Sequence, residues 1–217
     1  MIRTPETQNW VLLGTAAASH RVWGLRRIEF PCGYNVPAGA FAAPGQALEM
    51  PAPGSQAWVL GGFALEVASG GKGLTSDEAR SCVAGYRPWI CVYHAALLDE
   101  LEARTHTIEM WDRGVAIFYG LWREATHALG DLVPAERFKS VAPAATQLTV
   151  GEATAEGEAA AAYAHDAASI LPFMSDFMTV SQGDLFVQGP LVALPLPSGA
   201  VEAVFQAGDV RHRVELA

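Results

Sequence analysis

The chain has no apolar run approaching the length of about 18 residues that an α-helix needs to cross a bilayer, so no membrane span is expected. Its first residues, MIRTPETQNW, lack a basic segment leading into a continuous apolar stretch; with no secretory leader of that form, the expected location is the cytoplasm. Cysteine is scarce. Cys32, Cys82 and Cys91 are an odd number without a CxxC pair, which argues against a disulfide framework and a zinc knuckle and leaves reduced thiols as the expectation. Positive charge is outweighed: 14 Lys and Arg stand against 23 Asp and Glu, and a net charge of −9 repels phosphate backbones and anionic lipid alike. Nucleic acid is therefore not an expected partner. Nor is there a GxSxG elbow, a GxxxxGK(S/T) phosphate loop, an HExxH helix or a GxGxxG turn, so an esterase elbow, a nucleotide cradle, a zinc protease and a dinucleotide site all lack their sequence support.

What remains is the makings of a core. Apolar residues form 51% of the 217 and charged residues 17%, a balance that folds, and the length suits one domain spanning 1–217. The apolar run Asn9 to Gly14 suits a buried strand, and a loop carrying His20 follows it. Prolines and glycines punctuate Phe30 to Gly54, which reads as irregular connection. Ala57 to Val67 reads as a buried strand whose central Gly61-Gly62 pair marks a bulge or a close backbone approach. Thr75 and Glu78 fit a capping box that opens a helix of about 10 residues, with Gly85 placed to end it. WICVY, from Trp89 to Tyr93, predicts a core strand, Leu97 to Arg104 a short helix, and Gly114 to Trp122 a further strand. Glu158 to Phe177 is Ala-rich with apolar residues at helical spacing, and Pro172 predicts a break near Leu171. Two Gly-Asp turns, at 183–184 and 208–209, each precede an alternating strand. The sum is an α+β chain dominated by strands.

Three segments, in this order, carry a resemblance. Gly14 to His20, GTAAASH, is similar to GxNYxxH; Phe63 to Tyr86, FALEVASGGKGLTSDEARSCVAGY, to ELAVVIGKGG(K/R)xIxxEEAxxYVAGY; and Phe173 to Gly189, FMSDFMTVSQGDLFVQG, to (I/L)SxFMTLxPGDLIxTGTP. These patterns are those of the fumarylacetoacetate hydrolase family. The resemblance implies a mixed β-sandwich roll with a few flanking helices, usually a homodimer, whose enzymes cut or hydrate 2-oxo and 1,3-dicarbonyl acids. It also implies a divalent cation, normally Mg, held by a Glu-x-Glu pair on one strand and an Asp on the next, acting as a Lewis acid on the substrate's oxo groups.

Laid on that pattern, this sequence puts Leu60 and Gly62 at the two glutamates, Cys91 at the aspartate and Val115 at the substrate-contacting lysine. The HxxE dyad keeps His20 but has Trp23 for its glutamate, and TGTP is reduced to Gln188, Gly189 and Pro190. Leu, Gly and Val offer a hard cation nothing, and a lone thiol is a soft ligand, so neither metal nor cofactor is expected. Only a different register, with Glu66 or Asp99 supplying oxygen, would restore a metal-dependent hydrolase.

His20 is the candidate acid or base, since histidine titrates near neutrality; its alternative is a loop histidine bonded to backbone or water. Cys91 and Tyr93 share one strand face while His94 points the other way, so both would floor a cleft or both would simply pack in a core. Trp23 and Trp111 would wall the cleft or serve as packing residues, and Gln188 would bond a ligand carbonyl. His106, His127, His165 and His212, with no metal-ligand spacing, are expected at the surface. Glu66, an outlier on an apolar strand, would pair with an arginine. Two function classes follow: an enzyme that kept the cleft and gave up the metal, moving a proton on a relatively apolar carbonyl substrate (cyclisation, dehydration, isomerisation or C–C cleavage), or a non-catalytic partner subunit of a related enzyme, in a homodimer or a hetero-oligomer.

Overall fold

A computed structural model describes residues 7–25, 28–104 and 109–217; His106 lies outside them. The chain begins with strand β1 (Asn9–Leu12), helix α1 (Ala17–Trp23) and strand β2 (Gly33–Asn35), followed by the two long central strands β3 (Ala57–Val67) and β4 (Val83–His94) with the short helix α2 (Ser76–Ser81) between them. Helices α3 (Ala96–Arg104) and α4 (Met110–Leu121) lead to the short strands β5 (His127–Leu129) and β6 (Val133–Pro134) and to helix α5 (Ala135–Val141). The hairpin β7 (Thr146–Val150) and β8 (Ala153–Gly157), helix α6 (Ala167–Phe177), the long strand β9 (Leu185–Pro195) and the hairpin β10 (Glu202–Ala207) and β11 (Val210–Glu215) complete it.

A seven-stranded sheet runs β2-β1-β9-β3-β4-β5, with β6 also on β4, and all its pairings are antiparallel except β1 with β9. A four-stranded sheet, β11-β10-β7-β8, covers part of one face. Side-chain alternation along β3 and β4 distributes the core. Val59, Phe63, Ile90 and Val92 face Leu148, Val150 and Phe205 of the smaller sheet, with Phe138 and Val141 of α5 closing the layer. Leu60, Ala64, Trp89, Cys91 and Tyr93 face the other way, onto Trp23 of α1 and Ile117 and Leu121 of α4. Farther along the first face, Leu65 and Val67 meet Ile170, Leu171 and Met174 of α6. Burial on both faces is why β3 and β4 read as unbroken apolar runs. Glu66 is the exception, and it pairs diagonally across the β3–β4 ladder with Arg87, which stands opposite Ala64.

Four local expectations need correction. His20 lies not in a loop but on α1, a single helical unit ended by Gly24 in the left-handed region at φ 62°. Gly114 to Trp122 is not a strand; Gly114 to Leu121 belong to α4 and Trp122 caps its end. The glycines of this stretch are contact points on a helix: a Cβ on Gly120 would sit 2.3 Å from the Tyr93 ring and 2.6 Å from the His94 carbonyl oxygen. The helix opened by the Thr75–Glu78 capping box has six residues rather than about 10, because Val83 already enters β4. Gly85 sits inside that strand, where a Cβ would lie 2.2 Å from the Val133 carbonyl oxygen of β6. Finally, only the second half of the Ala-rich segment is α-helical. Asp166 caps α6 by accepting from Ser169 N–H, and Pro172 is accommodated inside the helix without the break expected near Leu171. Ile170, Leu171 and Met174 on its buried face hold the helix through the one hydrogen bond that proline forfeits.

The remaining half, residues 158–166, is a strap with a single 3-10 turn, Ala160–Ala162, over the place where β3 and β9 part. Register slips between Gly61 and Gly62 and again between Gly62 and Ala64 leave Phe63 without a partner on β9. The strap's Tyr163 fills the gap. Its hydroxyl accepts from Phe63 N–H (3.0 Å) and donates to the Gly189 carbonyl (2.9 Å), replacing the missing ladder bond. Tyr163→Phe should leave the Phe63 N–H and the Gly189 carbonyl buried and unpaired, with a loss of about 1–3 kcal/mol measurable by chemical denaturation.

Candidate functional site

The residues singled out from the sequence fall into four places. Trp23, Leu60, Cys91 and Tyr93 are fully buried in one cluster under α1. Leu60 and Cys91 are paired across β3 and β4, and Trp23 meets Tyr93 edge-on, with ring centroids 6.1 Å apart. Burial pushes the Cys91 thiol well above its usual range. It raises Tyr93 too, with the Asp99 carboxylate adding to the effect. Neither group is poised to ionise near neutrality. Among the described residues, the indole N–H of Trp23 and the hydroxyl of Tyr93 have no hydrogen-bond partner. This is a packed core, not the floor of an open cleft.

Cys91 has a neighbour that the sequence did not disclose. His127, expected at the surface, is completely buried on β5 beside it. Its Nδ1 accepts from the Trp89 indole N–H (3.1 Å) and its Nε2 donates to the Leu121 carbonyl (2.9 Å), which fixes the neutral tautomer. Cys91 Sγ lies 3.7 Å from that Nε2. His165 is also buried, with Nε2 donating to the Ile28 carbonyl (3.0 Å). His212 is half-buried rather than exposed.

Gly62 and Gln188 meet at the break between β3 and β9. A Cβ on Gly62 would lie 2.4 Å from the Gly189 carbonyl oxygen and 2.8 Å from the Tyr163 hydroxyl, so the position admits no side chain as the chain stands. Gln188 is 3% exposed; its side-chain amide donates to the His165 carbonyl (2.9 Å), and its backbone carbonyl accepts from the Thr15 hydroxyl.

His20 is elsewhere again. It is exposed on α1 and lines a recess of about 250 Å³ bounded by Gly14, Thr15 and Ala17 on one side and by Glu158, Ala162 and Ala164 of the strap on the other. Glu158 Oε2 accepts from Ala17 N–H (2.7 Å), which fixes one end of its carboxylate at the start of α1. The resemblance leaves the histidine without an acidic partner; the fold brings an acid into the same recess from 138 positions along the chain. Trp111 and Val115 form the fourth place, an apolar surface groove on α4 shared with Tyr34, Gly114 and Phe118, where Trp111 is 81% exposed.

The positions that the resemblance pairs with the metal carboxylates thus present a buried leucine, a glycine with no room for a side chain, and a buried neutral thiol. These do not fit a hard divalent cation, which needs oxygen donors. The alternative donors do not converge either: Glu66 is engaged by Arg87 on the ladder, while Asp99 sits on α3 with a carboxylate raised by burial and by Glu102. Among the described residues, no group of three or more His, Cys, Asp and Glu side chains is placed to hold a metal ion.

With the geometry in hand, comparison identifies the architecture. The chain has the fumarylacetoacetate hydrolase fold. It superposes over 100% of its length on 96% of a protein assigned to that family from Yersinia pestis, with a TM-score of 0.78 at 16% identity. It also matches a fumarylpyruvate hydrolase from Pseudomonas aeruginosa solved with Mn2+ and pyruvate (TM-score 0.74, 19% identity, 98% of this chain on 90% of that one). A third neighbour is a 5-carboxymethyl-2-hydroxymuconate delta-isomerase from Mycobacterium smegmatis (TM-score 0.73, 14% identity, 97% on 78%). No family model matches the sequence. No curated protein matches it either.

The buried histidine carries a pH signature. Burial lowers His127 from its ordinary 6.5 to about 4, opposed only in part by its bond to Leu121. The unfolded chain takes up this proton as the pH falls through about 6.5, and the folded chain refuses it until about 4. Stability from this group is therefore complete above about pH 6.5 and falls as the pH drops toward 4, by up to about 3 kcal/mol. Denaturation midpoints followed from pH 7 to 4 should decline less steeply in His127→Gln than in the wild type.

Proposed function

We propose that this chain is a metal-independent enzyme of the fumarylacetoacetate hydrolase fold that moves a proton on a small carbonyl compound, with His20 as the acid or base. The observation that carries this reading is the recess itself: an exposed imidazole and a glutamate carboxylate line one small opening at the start of α1, whose other walls are Gly14, Thr15 and four alanines. A positioned imidazole can take a proton from carbon next to a carbonyl and return it elsewhere on the same molecule. The net change is an isomerisation that consumes neither water nor metal. Glu158, anchored by Ala17 N–H, lines the same recess as the imidazole. The fold neighbours include a hydrolase of a fumaryl-substituted pyruvate and an isomerase of an unsaturated hydroxy acid, which places carbonyl acids first among the substrates to try.

Assayed on fumarylpyruvate and on aryl 1,3-diketones, His20→Ala should lower turnover by about a hundredfold or more, the effect of losing a positioned acid or base. Circular dichroism should be unchanged, because the side chain is exposed. Full turnover in a folded His20→Ala would sink the reading. Neither Mg nor EDTA should move the melting temperature of the wild type, since a cation bound only to the folded state would raise it by mass action.

A second reading, a partner subunit, is favoured by the face of α4. Trp111, Tyr119 and Trp122 are exposed together, and Phe118 stacks tilted on Trp122 with centroids 4.1 Å apart, so this helix presents aromatic surface where a monomer would present charge. We propose that this face joins two copies of the chain or a related subunit. Sedimentation at micromolar concentration should show a dimer that Trp111→Asp dissociates; a monomeric wild type would leave the face unexplained by self-association.

A further inference from the structure

A second cavity, on the far side of the strap from His20, is larger and differently built. It holds about 440 Å³, within the range of small-molecule sites, and lies between α2, α5 and the start of α6. Its walls are short. Ala135, Ala142, Ala160, Ala161, Ala167 and Ala168 all border it, so no side chain from these six positions reaches in to fill the space. Tyr86 and Phe138 supply an aromatic wall, their rings stacked 3.8 Å apart at 16°. At one end lie two buried polar side chains, Gln188 and His165, at 3% and 8% exposure.

Both polar groups are held in place. Gln188 donates its amide to the His165 carbonyl. The His165 ring donates from Nε2 to Ile28, which leaves Nδ1 as the acceptor of the neutral ring. The charged residues that line the cavity balance in number, Arg80 and Lys139 against Glu136 and Asp166. Arg80 pairs with Asp77, Lys139 pairs with Glu136, and Asp166 accepts from the first turn of α6. The cavity thus has flat apolar walls, no surplus charge and a small polar end.

We infer that this cavity binds an uncharged, flat aromatic molecule of one or two rings, its hydroxyl or carbonyl group turned toward Gln188 and His165. Aromatic faces and alanine methyls accept a ring by area alone, and the polar end sets its orientation. The site does not depend on the His20 reading, because the strap stands between the two: Ala162 and Ala164 line the His20 recess, whereas Ala161, Tyr163 and His165 line this one.

The probe is 2-naphthol, titrated against the full chain by its own fluorescence and by calorimetry, with naphthalene and 2-naphthoate as comparisons. Saturable one-to-one binding of 2-naphthol is expected, tighter than that of naphthalene or 2-naphthoate. Ala161→Trp, which fills the cavity from an exposed position, should weaken it at least tenfold, while His20→Ala leaves it unchanged. Gln188→Leu should weaken 2-naphthol by about tenfold, the worth of one hydrogen bond, and leave naphthalene unaffected. Ala168→Leu serves as a second filling variant, and near-ultraviolet circular dichroism checks that each variant keeps its packing. Absence of saturable binding, binding retained in both filled variants, tighter binding of 2-naphthoate, or binding lost in His20→Ala would each overturn the assignment.

Discussion

The hydroxyl of Tyr163 is the contact on which the functional half of the molecule turns. Two central strands of the large sheet part at Phe63, and a sheet interior cannot leave a backbone N–H and a carbonyl unpaired without a cost comparable to a lost hydrogen bond. The tyrosine supplies both missing partners at once, from a segment 100 residues away. In doing so it pins the strap to the sheet. The pinned strap makes one wall of the His20 recess and one wall of the alanine-lined cavity, so a single ring decides that there are two openings.

Much of the fold is legible where local rules act alone. The Gly61-Gly62 pair signals a close approach because only glycine tolerates a backbone 2.4 Å from its would-be Cβ, and that is what Gly62 meets. The Thr75–Glu78 box forms as its spacing requires. The alternation in WICVY puts Cys91 and Tyr93 on one face of β4, as period-two geometry demands. The failures come where an apolar run is compatible with more than one period. In α4, the β-branched and aromatic residues of GVAIFYGLW read as strand, while Gly114 and Gly120 serve as notches for Tyr34 and Tyr93 on a helix. In the strap, alanine favours helix, yet only one 3-10 turn forms, Ala160–Ala162, because the bonds of Ala161 to Ala142 and of Ala164 to Thr15 tie the backbone outward.

The site was less legible than the fold, because what builds it is pairwise and distant. His20 can be picked out from a short motif, but nothing near it announces Glu158, which arrives through a hydrogen bond spanning 141 residues to Ala17. His127 carries no spacing signal, and its burial follows from strand pairing with β4, which brings it against Cys91. Residues grouped by resemblance are dispersed by the structure, since Trp23, Leu60 and Cys91 have become packing while Trp111 and Val115 stand on an outer helix.

The crowding at Gly62 also bears on history. Were an ancestor of this chain to have carried a carboxylate there, the present arrangement could not be reversed one step at a time: any β-carbon at 62 now collides with the Gly189 backbone before a carboxylate could reach a metal. Tyr163 would have to leave first, and its departure would open the strand pair that it bridges. A sequence in this state has a one-way neighbourhood. Relatives of the chain that keep a tyrosine at 163 should keep a glycine at 62, and any relative with a side chain at 62 should lack the tyrosine.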